Sequence, residues 1–125
     1  MFGNSITVNV GTIAAPVEVI LPRINQDGYS SEYQLKESDR THRVLIRHSK
    51  EKNKVNGQTL DRHNVTYQQY VLPTELAPQG SLREAYVVMR MPSSAILGDV
   101  APLFNGLLNL VGETSTQSSV INWES

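Results

Sequence analysis

The sequence predicts an α+β domain in which five or six antiparallel strands precede one or two helices. Two patterns carry that expectation. Up to Met91, apolar and polar residues alternate with period two in short runs, separated by Gly, Pro and Asn turn signals. Beyond Pro92 the spacing changes: Ile96, Val100, Leu103, Phe104, Leu107, Leu108 and Val111 recur at helical intervals as one broad apolar stripe.

Each element follows from local chemistry. Ile6, Val8 and Val10 alternate with Thr7 and Asn9, and Val17–Leu21 forms a second run that Pro22 is expected to close. Ser5–Val10 with Val17–Leu21 reads as an N-terminal hairpin within residues 1–22. Asn25–Gly28 is a turn signal, after which Tyr29, Ser31, Tyr33 and Leu35 alternate with Ser30, Glu32 and Gln34. Thr41–Ser49 is the next strand, joined by the Lys-rich segment Lys50–Asn56 and the Asn56-Gly57 hairpin signal to a strand over Asp61–Val71. A Pro-containing loop, Pro73–Gly80, leads to a last strand, Leu82–Met91, so the sheet spans residues 28–91. In the helical region, 94–125, Asp99 is a candidate N-cap, which places Pro102 at the third helical position, where its missing N–H removes no intrahelical bond. A start near Ser94 would instead make Pro102 a kink. Gly112 is the expected stop, and Ser115–Asn122 is a short second helix.

The 125 residues, 39% apolar and 18% charged, suit one globular domain spanning 1–125 rather than a disordered chain. With no cysteine, disulfides, thiolate metal sites and a Cys nucleophile are all excluded. No apolar run is long enough to span a membrane, and Met-Phe-Gly-Asn-Ser lacks the flank of a signal peptide, so the cytosol is the expected compartment. A net charge of −1 hides an uneven distribution. Arg40, Arg43, Arg47, Lys50, Lys52 and Lys54 are opposed only by Glu51, a local +5, whereas Asp99, Glu113 and Glu124 make the region after Arg90 −3. A solvated charged hairpin accounts for these counts, and so does a binding face for a polyanion.

Strand alternation separates two faces. Val44, Ile46, Val65, Tyr67, Val87 and Met89 form an apolar one, for which the helical stripe is an available cover. Arg43, Arg47, Arg62, Asn64, Thr66, Gln68, Tyr86 and Arg90 form a polar, basic one. A broad basic sheet carrying one aromatic suits nucleic acid: Arg and Lys bind phosphate, and Tyr86 is placed to stack on an unpaired base. A thin core and open sheet edges favour a homodimer. Catalysis finds little support. His42 and His48 share a strand face but lie roughly 20 Å apart, and His63 is able to meet either across the sheet. No metal-ligand spacing, nucleophile elbow, phosphate-cradling loop or carboxylate pair occurs. No cofactor is expected, and a hydrolase using His63 with Asp61 is the remote alternative.

Residues Leu21–Tyr33 (LPRINQDGYSSEY), Arg47-His48 with Lys50-Glu51, Arg62–Val65, Ala85–Val88 and Trp123-Glu124 together resemble the coat proteins of single-stranded RNA bacteriophages, the levivirus-type icosahedral shells. The first stretch is similar to that of a coat protein from a Caulobacter phage. The similarity is collinear along the chain rather than confined to a motif. It implies an outer N-terminal hairpin, a five-stranded antiparallel sheet facing the interior, and two helices that interlock with a partner to give a ten-stranded dimer sheet. It implies a non-enzymatic virion protein whose dimers form a T=3-type icosahedral capsid around the single-stranded RNA genome and bind an RNA hairpin as translational repressor, without a membrane partner. A dimeric RNA-binding regulator that forms no shell is the alternative. Carried over by position, the RNA-facing residues are Arg43, Leu45, Arg47 and Ser49, then Arg62, Asn64, Thr66 and Gln68, then Tyr86, Val88 and Arg90. Leu45 and Val88 stand where well-studied relatives place polar groups. Pro73, Thr74, Glu75, Leu76, Ala77, Pro78, Gln79 and Gly80 correspond to the loop that joins dimers. Without cysteines there, shell stability is expected to rest on RNA and a structural divalent cation, whose ligands the sequence leaves unidentified.

Overall fold

A computed structural model describes residues 3–12, 14–52 and 55–124. Lys54, one member of the basic cluster, lies outside the described residues. The order of elements is β1 (Ser5–Asn9), β2 (Glu18–Gln26), β3 (Ser30–Lys36), β4 (Arg40–Lys52), β5 (Thr59–Val71), β6 (Ser81–Pro92), α1 (Leu97–Gly112) and α2 (Thr114–Ile121). The strands form an antiparallel meander in the order β1-β2-β3-β4-β5-β6, with β1 and β6 at its edges.

Strand β2 does not stop at Pro22. Its first half pairs with β1, ending at Ser5 opposite Pro22, and its second half pairs with β3 from Arg23 opposite Tyr33. Proline is tolerated because it stands where the strand changes partner, and Arg23 N–H resumes the ladder by donating to Asn4 O at 2.7 Å. The second half of β2 thereby supplies a fifth strand beside β3–β6, and the hairpin extends the same sheet to six.

The core lies against one face of the sheet. Val19 and Leu21 of β2 cluster with Tyr33, Val44 and Ile46, and Ile6, Val8, Leu35, Val65 and Tyr67 pack against them. Within the chain, then, the hairpin lies against the central part of the apolar face for which the helical stripe was the available cover. The hairpin is covalently continuous with β3, so this closure spans a short loop and costs little entropy. Leu21, Tyr33 and Ile46 are fully buried, each stabilising by about 1.5–3 kcal/mol. Tyr33 keeps its polar end satisfied by donating from its hydroxyl to Gly3 O at 3.0 Å. Between β5 and β6, Gly80 adopts φ +66°, where a Cβ would stand 2.6 Å from Val71 O.

The chain divides into two compact units: Met1–Glu51 with Asp61–Arg90 holds most of the sheet, and Lys52–Leu60 with Met91–Ser125 holds the β4–β5 connection and both helices. Helix α1 begins two residues before Asp99: its N-cap is Ile96, and Asp99 is the third helical residue. Asp99 therefore lies in the first turn, where its carboxylate favours the helix dipole, rather than capping the end. Pro102 falls inside the helix at the sixth position, beyond the turn whose N–H groups are free anyway. Gly112 ends α1 as expected, and α2 follows after Glu113. Neither helix has a buried residue; Leu103, Leu107, Leu108, Val111, Val120 and Trp123 are all exposed in the single chain.

Candidate nucleic-acid interface

Strand register determines which side chains share a surface. Ser30, Glu32 and Gln34 of β3 stand opposite Arg47, Leu45 and Arg43 of β4. On the other face, His48 meets His63 and Lys50 meets Asp61, so the odd residues of β5 accompany the even ones of β4. The even residues Arg62, Asn64, Thr66 and Gln68 then lie beside Arg43, Leu45, Arg47 and Ser49. Gln68 donates to Glu84 at 2.7 Å and Arg90 pairs with Glu51, which brings Tyr86, Val88 and Arg90 of β6 onto the same face. The geometry thus gathers all eleven candidate residues on one surface, opposite the hydrophobic core.

They are not equally available. Arg47, Ser49, Tyr86 and Arg90 are exposed, and Arg43, Arg62, Asn64, Gln68 and Val88 are half-buried. Leu45 and Thr66 are buried, at 7% and 8% exposure, so they offer a ligand little side-chain surface. Thr66 donates to Asn64 Oδ1 at 2.7 Å, which orients the Asn64 amide. Tyr86 is 63% exposed, its ring open to a stacking partner.

Glu32, Glu51 and Glu84 also stand on this surface. Alternation puts Glu32 on one face of β3 with Ser30 and Gln34, and only the register places it opposite Leu45 and diagonal to Arg43. Arg43 is paired with Glu32 and Arg90 with Glu51. Among the described residues none makes an ion pair with Arg47 or Arg62. These two guanidiniums, on adjacent strands, are the cations an incoming phosphate meets without displacing a carboxylate.

The loop Pro73–Gly80 folds on itself: Thr74 N–H donates to Ala77 O at 3.0 Å, and Ala77 N–H to Thr74 Oγ1 at 3.1 Å. Its tip presents Leu76, 99% exposed. At the opposite rim of the sheet, the Asp27 carboxylate accepts from the N–H groups of Tyr29 and Ser30, each at 2.8 Å, and from the Ser30 hydroxyl. These bonds, led by the one from Tyr29 N–H, hold Asp27 below the usual carboxylate range.

The histidines separate into two settings. His42 is buried, with Nδ1 2.7 Å from the Tyr67 hydroxyl and Nε2 3.2 Å from Glu37 Oε1, a satisfied core histidine. His63 meets His48 rather than His42. Among the described residues no group of three His, Asp or Glu converges on a metal position, and no helix is long and apolar enough to cross a membrane.

Comparison with known proteins adds a family. Residues 3–92 match the family model described as phage phiCb5, coat protein. No curated protein sequence is significantly similar. Among solved structures, the virus-like particle of bacteriophage ESE058 matches with a TM-score of 0.68 at 12% identity, over 96% of this chain and 95% of that one. The virus-like particle of Beihai levi-like virus 21 gives 0.67 at 14% identity, over 97% and 94%. An unassembled bacteriophage coat protein dimer, described as an RNA-binding dimer, gives 0.57 at 13% identity, over 95% and 94%. At these identities the solved structures establish a shared fold.

Proposed function

The chain belongs to the phage phiCb5 coat-protein family, and from that premise we propose that it is a capsid subunit whose dimers build a T=3-type icosahedral shell around single-stranded genomic RNA. One structural observation carries the assembly reading: neither helix buries a residue within its own chain. An apolar stripe of that length left in water is a partner surface. Strand β6, twelve residues long, is an edge strand with a free row of backbone groups. Pairing β6 with the β6 of a second chain joins β3–β6 and the second half of β2 of each into ten strands. It also brings the helical stripes of both chains into one assembly.

The arginine face then lines the interior. Arg47 and Arg62 make the first phosphate contacts; Arg43 and Arg90 contribute once Glu32 and Glu51 are displaced. Asn64 and Gln68 add hydrogen bonds to sugars or base edges, and Tyr86 stacks on an unpaired base. An RNA hairpin held this way by the dimer blocks translation of the message that carries it. The exposed loop around Leu76 joins neighbouring dimers. The role is structural, and none of its steps needs catalysis.

Expression in a bacterial host, followed by size exclusion, negative-stain microscopy and the ratio of absorbance at 260 to 280 nm, tests the reading. Uniform shells with copurified nucleic acid are expected, and they should loosen as salt screens the phosphate contacts. A dimer that binds RNA but never closes into shells would overturn the capsid assignment in favour of an RNA-binding regulator.

A further inference from the structure

Opposite the arginine face, β4 and β5 bring two imidazoles together at a place that RNA recognition does not use. His48 Nδ1 and His63 Nδ1 are 2.9 Å apart, with ring centroids at 5.0 Å and planes inclined by 73°. They stand at the side of an open depression of about 490 Å³ that Tyr29, Ser49, Lys50 and Asp61 also line. Both histidines are on paired strands, and Tyr29 O accepts the backbone N–H of His48 at 2.8 Å, so the backbone holding His48 is fixed before any ligand arrives.

Two neutral imidazoles at this separation have two uses for their facing nitrogens. One ring donates its proton to the other, or both turn lone pairs toward one ion. A divalent ion with nitrogens at about 2.0–2.1 Å, in octahedral or tetrahedral geometry, separates neighbouring donors by about 2.9–3.4 Å. The observed spacing falls at the near end of that range, so a metal replaces the shared proton with little strand movement. Asp61 lies two residues from His63 on the same face and holds Lys50 Nζ at 3.0 Å. Its carboxylate lowers the local positive potential, and the largely exposed Lys50 chain is free to swing into solvent as an ion enters.

We propose that His48 and His63 form a two-imidazole seat for a divalent transition-metal ion, one per chain, with water completing the coordination. Imidazole donors select Cu²⁺, Ni²⁺ or Zn²⁺ over Ca²⁺ and Mg²⁺, which require oxygen. The ion clamps β4 to β5 near the end of the hairpin they form.

The test uses the full chain as purified, stripped with chelator and titrated by calorimetry with zinc, nickel and calcium chlorides. One zinc or nickel ion per chain is expected at this seat, and calcium at the same concentration should not displace it. His48→Ala and His63→Ala should each lose roughly ten- to hundredfold in affinity, since even supporting groups of metal ligands cost that much. The double variant should lose little more than either single one. Should a variant fail to fold, by circular dichroism, electron paramagnetic resonance of the copper-loaded wild-type chain decides instead. Hyperfine structure from two equivalent nitrogens supports the seat. Unchanged affinity in both variants, displacement of the bound zinc by an equal concentration of calcium, no binding at millimolar zinc or nickel, or a copper signal with one nitrogen or none overturns it.

Discussion

The pairing of Arg43 with Glu32 makes Glu32→Gln an informative perturbation, because it is expected to strengthen RNA binding while removing an observed contact. In the wild-type chain that carboxylate neutralises a guanidinium facing the same way as Arg47 and Arg62. Each phosphate contact on single-stranded RNA releases about 0.7 of a counterion, which at 0.15 M salt corresponds to roughly fourfold in affinity. Arg47→Ala, which removes a guanidinium that pairs with no carboxylate among the described residues, should cost that factor in each chain and about fourteenfold in the dimer. The slope of log affinity against log salt should become shallower by about 1.4. Glu32→Gln should move affinity the other way, by up to the same factor per chain, and steepen the slope. Removing the pair together, Glu32→Ala with Arg43→Ala, conserves net charge and should leave affinity within about twofold. Fluorescence anisotropy with an unstructured RNA oligonucleotide, at dimer concentrations below assembly and at several salt concentrations, reads all three. The reasoning fails if Glu32→Gln weakens binding, or if deleting the pair costs as much as Arg47→Ala.

Other expectations follow from separate parts of the fold. Leu107→Ala should lower the stability of the proposed dimer by about 2–3 kcal/mol, because in that dimer the partner covers the stripe it belongs to; concentration-dependent denaturation should show the loss in dissociation rather than in the sheet. Gly80→Ala places a side chain at φ +66° and 2.6 Å from Val71 O, so it should destabilise by about 2 kcal/mol or more in chemical denaturation. Asp27 has a folded pKa below its unfolded value, so its stabilising bonds are fully present above the unfolded value and lost as pH falls through the folded one. Amide exchange of Tyr29 and Ser30 should therefore lose protection on acidification below about pH 4, and Asp27→Asn should remove that dependence.

How far the sequence reveals this molecule depends on which interactions are local. Period-two alternation separated the two sheet faces correctly because a strand's side chains alternate whatever its neighbours are. The helical stripe of α1 was legible for the same reason. Pro22 misled because proline ordinarily closes a strand; its tolerance here depends on a change of partner between β1 and β3, which only pairing reveals. The start of α1 was hidden because Ile96 makes no side-chain cap, so Asp99 stood out as the nearest capping residue although it lies within the helix. The charge of the candidate face was legible only in part. Arg43, Arg47, Arg62 and Arg90 read as one basic set, yet Glu32 and Glu51 neutralise two of them through contacts 11 and 39 residues apart. The meeting of His48 with His63 likewise requires the register of β4 against β5. Local chemistry identifies faces, and register decides which charges on them remain free.

A cryo-electron microscopy map of particles assembled from the full chain tests the central claim most directly. The account predicts β6 strands of two chains running side by side at the dimer axis, helices of each chain packed in the dimer, and RNA density touching Arg47, Arg62 and Tyr86 on the interior surface. Particles with that surface turned outward, or RNA density confined to other residues, would contradict it.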